Sequence, residues 1–334
     1  MENQRIICCI VCFLLTFTGC FKDPEKLVDD PSGNFDALKE IIDTRYCYLD
    51  YKNIDWDEIC DTYRFDAQSA TTVYELFDVF ASMLNELQDG HVNLYSPFNT
   101  SQYDKWYTDY PANFSSSILF SDTYLGKDYL YASGMYYKIL PSNVGYIYYS
   151  SFSNAVSNTT MSYIFDYFKN CSGIIIDVRN NGGGSLSYSE LLASYFFKKE
   201  MTTGYMTHKV GSGHSDFSEL APIITKPHVS LYWDKKVVVL TNRMSYSATN
   251  DFVNRMKSCD MATIIGDKTG GGGGMPLSSE LPNGWSVRFS ACPMFDVDKQ
   301  HTEWGIDPDL KVDMVDGSNF DHIIETAIRW LTTG

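Results

Sequence analysis

Two apolar strand patterns, each followed at once by a turn and a helix, constrain this 334-residue chain more than any other feature. The runs at 173–177 and 236–241 consist largely of isoleucine, valine and leucine, which is typical of strands covered on both faces. Strands that alternate with helices predict an α/β layer. Related patterns predict helices at 188–198, 247–257 and 320–331, strands at 144–148 and 262–265, and a hairpin turn at 282–284.

The first junction carries three consecutive glycines, Gly182 to Gly184, soon after the strand that ends at Asp177. Such glycines leave backbone N–H groups unobstructed at the start of a helix, where they can hold a phosphate or an oxyanion. The Gly-Lys-Ser/Thr ending of a phosphate-binding P-loop is missing. The same glycines would suit a tight turn with positive φ angles, so the pattern by itself leaves both interpretations open.

The second junction places Ser245 and Ser247 between a buried strand and a helix. A serine at a helix N-terminus can act as a nucleophile, because the positive end of the helix dipole stabilises the developing alkoxide. The N–H of Ala248 could then help to hold an oxyanion. Helix capping is the ordinary alternative use of such a serine. Acyl transfer needs a nucleophile and an anion hole together, and the two junctions could supply both.

A serine nucleophile also needs a base, and His91 is the candidate among six histidines. It follows the clearest helix pattern, which begins at Thr72 with a capping box to Glu75 and stops near Gly90. A loop histidine beside a helix end can face a cleft. We therefore predict that His91 lies near the serine.

Four segments, in this order, resemble the tail-specific (C-terminal-processing) protease family and its tricorn-type branch. They are 177–184, 241–249, 266–270 and 305–309. The resemblance implies a crotonase/ClpP-like α/β core of stacked ββα units with a helical N-terminal subdomain. It implies a serine endopeptidase that acts on peptides or proteins without metal or cofactor. By position, Ser247 matches the nucleophile, and Gly183 or Gly184 with Ala248 matches the oxyanion hole.

The base differs between branches of this family. Processing proteases use a lysine in the glycine-rich turn after the nucleophile helix, but Gly272 stands at that position and Lys268 lies four residues earlier. The tricorn-type branch uses an upstream histidine, matched by His91, and an acid before the Gly-x-x-Pro-Asp segment, matched by Glu303. The resemblance therefore implies a site of Ser247, His91 and Glu303, with Lys268 as the alternative base.

Two other functions stay open at this point. The branch includes non-proteolytic retinoid-binding modules, so the same fold could hold a peptide or an apolar ligand without catalysis. A Ser–Lys peptidase that recruits Lys268 is the second alternative. Nucleic acid is excluded as a partner by the formal net charge of −16, because an acidic surface repels phosphate backbones.

The first twenty residues predict export. Arg5 precedes an apolar run at 6–15, and a small-residue cleavage point follows, which is typical of a secretory signal. The run is shorter than the about 20 apolar residues of a membrane span. Its ending in Gly19 and Cys20 resembles a bacterial lipoprotein signal, with an ordinary cleaved signal as the alternative. We therefore expect a lipid anchor at Cys20 and a location in the cell envelope, at the outer membrane.

The patterns also suggest how the chain is divided. We predict a signal peptide at 1–20, a tether at 21–33, a helical subdomain at 34–93 and a peptidase core at 94–334. Processing proteases usually carry a peptide-binding PDZ module before the core. Residues 94–143 are too few for one, since a PDZ domain needs roughly 80 or more. The aromatic-rich segment 103–114 within this stretch lines a cleft or serves packing.

The cysteines favour buried free thiols over a disulfide framework. Of nine cysteines, four lie within residues 1–20, and the other five include no C-x-x-C pair. This is neither a zinc pattern nor a dense set of bridges. Cys47 with Cys60 is the one pair that could bridge.

Overall fold

The computed structural model describes residues 28–333. The helices are α1 Pro31–Arg45, α2 Leu49–Lys52, α3 Trp56–Ser69, α4 Val73–Asn85, α5 Lys105–Thr108, α6 Ser116–Leu119, α7 Asn158–Tyr167, α8 Leu186–Ser194, α9 Ala248–Lys257 and α10 His322–Thr333. The strands are β1 Asn93–Tyr95, β2 Leu130–Ala132, β3 Met135–Leu140, β4 Val144–Tyr149, β5 Gly173–Asp177, β6 Met201–Met206, β7 Ala221–Thr225, β8 Lys236–Thr241, β9 Ala262–Gly266, β10 Gly274–Glu280, β11 Ser286–Phe295 and β12 Leu310–Lys311.

A seven-stranded sheet brings the two junctions together. Its order is β12-β9-β8-β5-β4-β3-β2, and the strands from β12 to β4 are parallel. The central strands β5 and β8 are paired from Gly173 with Lys236 to Asp177 with Leu240, so their carboxyl ends meet at one edge. Every residue of β5 is buried. The predicted α/β class and both buried strands are confirmed.

Helices cover both faces of this sheet. Apolar residues of α7, α8 and α9 pack on one face, and those of α10 pack on the other. The predicted helix at 188–198 occupies Leu186–Ser194 instead and ends four residues earlier. The chain leaves the helix there because the next three rings, Tyr195, Phe196 and Phe197, turn into the core.

The N-terminal helices share their core with a second, five-stranded antiparallel sheet. In that sheet β1, β11, β6 and β7 follow one another, and β10 pairs with β11 to form the predicted hairpin. Buried residues from 35–94 form one cluster with residues 281–292 of the hairpin. The predicted boundary between residues 93 and 94 therefore falls inside strand β1, which the hairpin strand β11 holds at the edge of this shared core.

The turn that follows α4 fixes where His91 will lie. Helix α4 begins as predicted, because Thr72 accepts a hydrogen bond from the Glu75 N–H and the Glu75 carboxylate accepts one from the Thr72 N–H. The helix ends at Asn85, and the chain reaches strand β1 within eight residues. The base candidate thus lies on a short connection between two packed elements.

The five cysteines in the described part of the chain, Cys47, Cys60, Cys171, Cys259 and Cys292, are buried free thiols, as the sequence predicts. Cys47 and Cys60 form no bridge. Within residues 28–333 no helix has the length and apolar character needed to cross a membrane. The predicted signal peptide and the lipidated Cys20 lie outside the described residues.

Candidate active site

Ser247 occupies a sharp turn between β8 and α9. Its φ and ψ angles are 59° and −120°, a conformation that costs a residue with a side chain on the order of 1–3 kcal/mol. Its backbone N–H donates to the Gly271 carbonyl at 2.9 Å, which holds the turn in place. The Ser247 hydroxyl does not cap the helix. The capping interpretation therefore does not account for this serine.

Ser245 has a different part in the same turn. Its hydroxyl donates to the Val178 carbonyl at 2.9 Å and accepts from the Asn242 N–H at 3.1 Å. The side chain is fully buried. Ser245 thus ties the second junction to the first, and of the two serines Ser247 is the one with a hydroxyl free for chemistry.

The structure brings His91 to Ser247. Nε2 of His91 lies 2.9 Å from Oγ of Ser247, although 156 residues separate them in the chain. Burial lowers the pKa of His91 to about 4, against the raising effect of the Asp89 carboxylate. The positive charges of Arg288 and Lys52 lower it further. The imidazole is therefore neutral at neutral pH and can accept the serine proton.

Glu303 forms no hydrogen bond with the imidazole that it was predicted to orient. Its Oε1 lies 2.8 Å from Nζ of Lys52, and its Oε2 accepts the Gly273 N–H at 3.0 Å. Both carboxylate oxygens thus have partners other than His91. Nδ1 of His91 has no hydrogen-bond partner of standard geometry among the described residues. The backbone of Gly274 nevertheless acts to raise the pKa of His91.

Charge also sets the environment of Glu303. Burial and the Asp89 carboxylate raise the pKa of Glu303, and the Lys52 ammonium opposes that rise and favours the carboxylate. The side chain is 3% exposed. Glu303 therefore lies in a buried cluster of charged groups next to the serine–histidine pair.

Asp89 orients His91 through the backbone, a role that the sequence reasoning missed. Its Oδ1 accepts the His91 N–H at 2.8 Å, and its Oδ2 accepts from the hydroxyls of Ser290 at 2.8 Å and Tyr46 at 3.1 Å. A carboxylate two residues before a candidate base, at a helix end, was the available signal. An aspartate at this position can close a local turn on the N–H two residues later.

The glycine turn lies directly against the nucleophile. A Cβ atom on Gly183, whose φ is 100°, would come within 2.8 Å of the Ser247 Cβ and 3.0 Å of the Ala248 nitrogen. The Gly183 N–H itself donates to the Asn181 side chain at 3.0 Å. Hydrogen bonds among residues 28–333 leave the N–H groups of Gly184 and Ala248 unused. Those two donors are available to an oxyanion.

The alternative base does not reach the serine. Nζ of Lys268 lies 3.4 Å from the Asp307 carboxylate, in a partly exposed ion pair. The family's lysine position is also closed, because a Cβ atom on Gly272 would lie 2.5–2.8 Å from the ring of Tyr246. The arrangement therefore does not favour a Ser–Lys site.

Comparisons with known proteins agree with this geometry. The sequence model of peptidase family S41 matches residues 143–312, and that of the tricorn protease C1 domain matches residues 28–85. The chain belongs to peptidase family S41. The chain is 28% identical over 177 residues to a probable CtpA-like serine protease of Staphylococcus saprophyticus, which agrees with a serine peptidase family. It is 24% identical over 207 residues to the carboxy-terminal processing protease CtpA of Bacillus subtilis.

That match covers 60% of this chain and 42% of CtpA, so the chain spans less than half of that relative's length. A putative peptidase from Parabacteroides merdae is 50% identical, with a TM-score of 0.87 over 91% of this chain and 97% of that one. Mature CPAF complexed with lactacystin is 12% identical, with a TM-score of 0.66 over 91% of this chain and 98% of that one. The last similarity concerns the S41 fold alone and agrees with the predicted fold class.

Proposed function

We propose that this protein is a serine endopeptidase in which Ser247 attacks the peptide carbonyl and His91 is the general base. The observation that carries the proposal is the 2.9 Å contact between Nε2 of His91 and Oγ of Ser247. This distance lies within the range of a nucleophile–base pair, and burial keeps the imidazole in the neutral form that accepts a proton. Membership of family S41 supports the same reaction.

The proposed reaction is an acyl transfer to water. As the Ser247 oxygen adds to the carbonyl carbon, its proton moves to Nε2 of His91, which then protonates the leaving amine. The N–H groups of Ala248 and Gly184 receive the developing oxyanion, since the Gly183 N–H is bonded to the Asn181 side chain. One such donor is typically worth about 3 kcal/mol of the barrier. Water, deprotonated by the same imidazole, then releases the acyl group.

The proposal names the substrates only by their chemical class. Peptides or proteins are the proposed substrates, as the family implies. The helical part at 34–93 and the core at 94–334 are proposed to act as one catalytic unit, which agrees with their shared apolar cluster. We further propose that the protein is exported and held at the cell envelope by a lipid on Cys20, on the strength of the sequence pattern at its N-terminus.

Fluorophosphonate labelling of the purified protein tests the catalytic proposal. We expect the wild type to be labelled, and Ser247→Ala and His91→Ala to lose labelling. Ser245→Ala is the matched control, since that serine belongs to the same turn and its hydroxyl is used in packing contacts. Lys268→Ala should label as the wild type does. A folded wild type that takes no label would favour a binding module instead.

Metabolic labelling with a palmitate analogue tests the anchor separately. The full-length chain should incorporate the label and sediment with membranes, and Cys20→Ala should do neither. A labelled Cys20→Ala variant would contradict lipidation at this cysteine and leave the peptidase proposal untouched.

A further inference from the structure

Lys52, the last residue of α2, is a buried lysine whose three N–H groups are all used. Its Nζ lies 2.8 Å from Oε1 of Glu303 and donates to the carbonyls of Leu87 and Gln88, both at 3.2 Å. Nζ also lies 3.8 Å from Oδ2 of Asp89, and the side chain is 2% exposed. An ammonium has three donors, so no hydrogen bond remains for solvent or substrate.

Lys52 contacts the turn that carries His91. Leu87, Gln88 and Asp89 come just before it in the chain, and the Asp89 carboxylate accepts the His91 N–H at 2.8 Å. Lys52 therefore holds two carbonyls of the turn and neutralises the carboxylate that closes it. Each of these groups lies within four residues of the base.

Through Glu303, Lys52 is also linked to the glycine-rich turn that contacts Ser247. The Glu303 carboxylate accepts the Gly273 N–H at 3.0 Å, and its backbone carbonyl accepts the Gly272 N–H at 3.1 Å. The preceding residue of that turn, Gly271, accepts the Ser247 N–H at 2.9 Å. A continuous set of hydrogen bonds thus runs from Lys52 through Glu303 to the backbone of Ser247.

We infer that Lys52 is a positioning residue for the proposed reaction: through Glu303 and the turn before His91, its ammonium fixes the distance between base and nucleophile. The inference rests on the proposed function. It gives Glu303 a role that the geometry allows, as the link to the nucleophile turn rather than as a partner of the imidazole. A buried ion pair is weak evidence for a gain in stability, because desolvation offsets much of the attraction. The buried Lys52–Glu303 pair is better explained by its placing of the turns that carry His91 and Ser247.

Lys52→Met tests this, with Lys138→Met as the matched control. Lys138 also bonds a carboxylate, Asp128 at 2.6 Å, and a carbonyl, Leu125 at 3.1 Å, but it lies on β3, next to the edge strand of the seven-stranded sheet. We expect Lys52→Met to lower kcat on the order of 10²-fold with little change in KM, since small misplacements of catalytic groups cost that much. Lys138→Met should keep both constants. An unchanged kcat in a folded Lys52→Met variant would overturn the inference.

A second variant covers the case in which Lys52→Met fails to fold. Lys52→Met combined with Glu303→Gln removes the buried carboxylate that Lys52 bonds directly. Asp89 keeps its hydrogen bonds from the His91 N–H, Ser290 and Tyr46, so a main cause of misfolding is removed. Thermal unfolding should be cooperative, and kcat should stay low because the link between the turns is lost. A wild-type kcat in the double variant would overturn the inference.

Side-chain NMR of His91 separates this inference from the proposed function, because it needs no turnover. The ¹⁵N shift of Nε2 reports the hydrogen bond to the Ser247 hydroxyl. We expect this signal to move towards that of an unbonded neutral imidazole in Lys52→Met and to stay unchanged in Lys138→Met. A protein that hydrolyses no peptide but shows this change fails the proposed function alone. An unmoved Nε2 signal in Lys52→Met would overturn the positioning role.

Discussion

The rings of Trp106 and Tyr246 are stacked, with their centroids 4.1 Å apart and an angle of 25° between their planes. Tyr246 directly precedes Ser247, and its ring lies 4.9 Å from the imidazole of His91. Trp106 belongs to the aromatic-rich segment whose role the sequence left open between cleft and packing. Trp106 therefore packs against Tyr246, the residue that lies beside His91 and precedes Ser247 in the chain. At this point the aromatic segment serves packing and also supports the candidate site.

Trp106→Ala should weaken both stability and reactivity. Truncating a fully buried tryptophan costs about 3–5 kcal/mol, and Trp106 is partly exposed, so we expect about 1–3 kcal/mol less free energy of unfolding. Loss of the stacked ring frees Tyr246, and fluorophosphonate labelling should slow. Urea denaturation and labelling rates measure the two effects. Tyr163→Ala, on an exposed ring of α7, is the control; equal labelling rates in both variants would refute the supporting role of Trp106.

A lysine at the family's dyad position should not rescue the loss of His91. Gly272 has a φ of 72°, and a Cβ there would clash with the Tyr246 ring. We expect Gly272→Lys to lower the free energy of unfolding by about 1–3 kcal/mol through overpacking alone. The double variant His91→Ala with Gly272→Lys should stay unlabelled by fluorophosphonate, although Ser247 is intact. Labelling of that double variant above the level of His91→Ala would show that this fold accepts a Ser–Lys dyad.

The sequence predicted those parts of the site that depend on local pattern. A continuous apolar run predicts a doubly covered strand, and the glycines after β5 and the serine after β8 were paired because acyl transfer needs an anion hole and a nucleophile together. The capping box at Thr72 placed the start of α4, and Gly90 indicated the turn after the helix, which carries His91. Each of these inferences uses residues close together in the chain.

The rest depends on contacts between distant segments. Glu303 was assigned to the imidazole by position, but the buried ammonium of Lys52, 251 residues away, holds its carboxylate elsewhere. A lysine in a four-residue helix carries no pattern that marks it as buried. The core shared by the N-terminal helices and the β10–β11 hairpin was missed for the same reason, since its members lie in residues 35–94 and 281–292.

Arg179→Met should be among the most destabilising substitutions in the first junction. The guanidinium is fully buried, with the Asp177 carboxylate at 2.6 Å and the Asp321 carboxylate at 2.9 Å. Removing one member of a buried ion network costs about 3–5 kcal/mol, because it leaves charges unpaired. Arg64→Met breaks an exposed pair with Asp36 and should cost about 0–1 kcal/mol. Urea denaturation compares them, and similar losses in both variants would contradict the burial argument.

The pH dependence of fluorophosphonate labelling should report the buried imidazole. Burial lowers the pKa of His91 from 6.5 to about 4, so the neutral base persists well below pH 6. We therefore expect a rate that is level from about pH 7 to about pH 5 and reaches half its maximum near pH 4.

The free energy of unfolding should also depend on the protonation of His91, and it should fall as the pH is lowered. The unfolded chain takes up the His91 proton near pH 6.5 and the folded one only near pH 4, so this group's contribution to stability declines as the pH falls between those values. Circular dichroism at each pH identifies the range in which the protein is folded. A labelling rate that halves near pH 6.5 in folded protein would mean that His91 is solvated, and the contact with Ser247 would then not hold in solution.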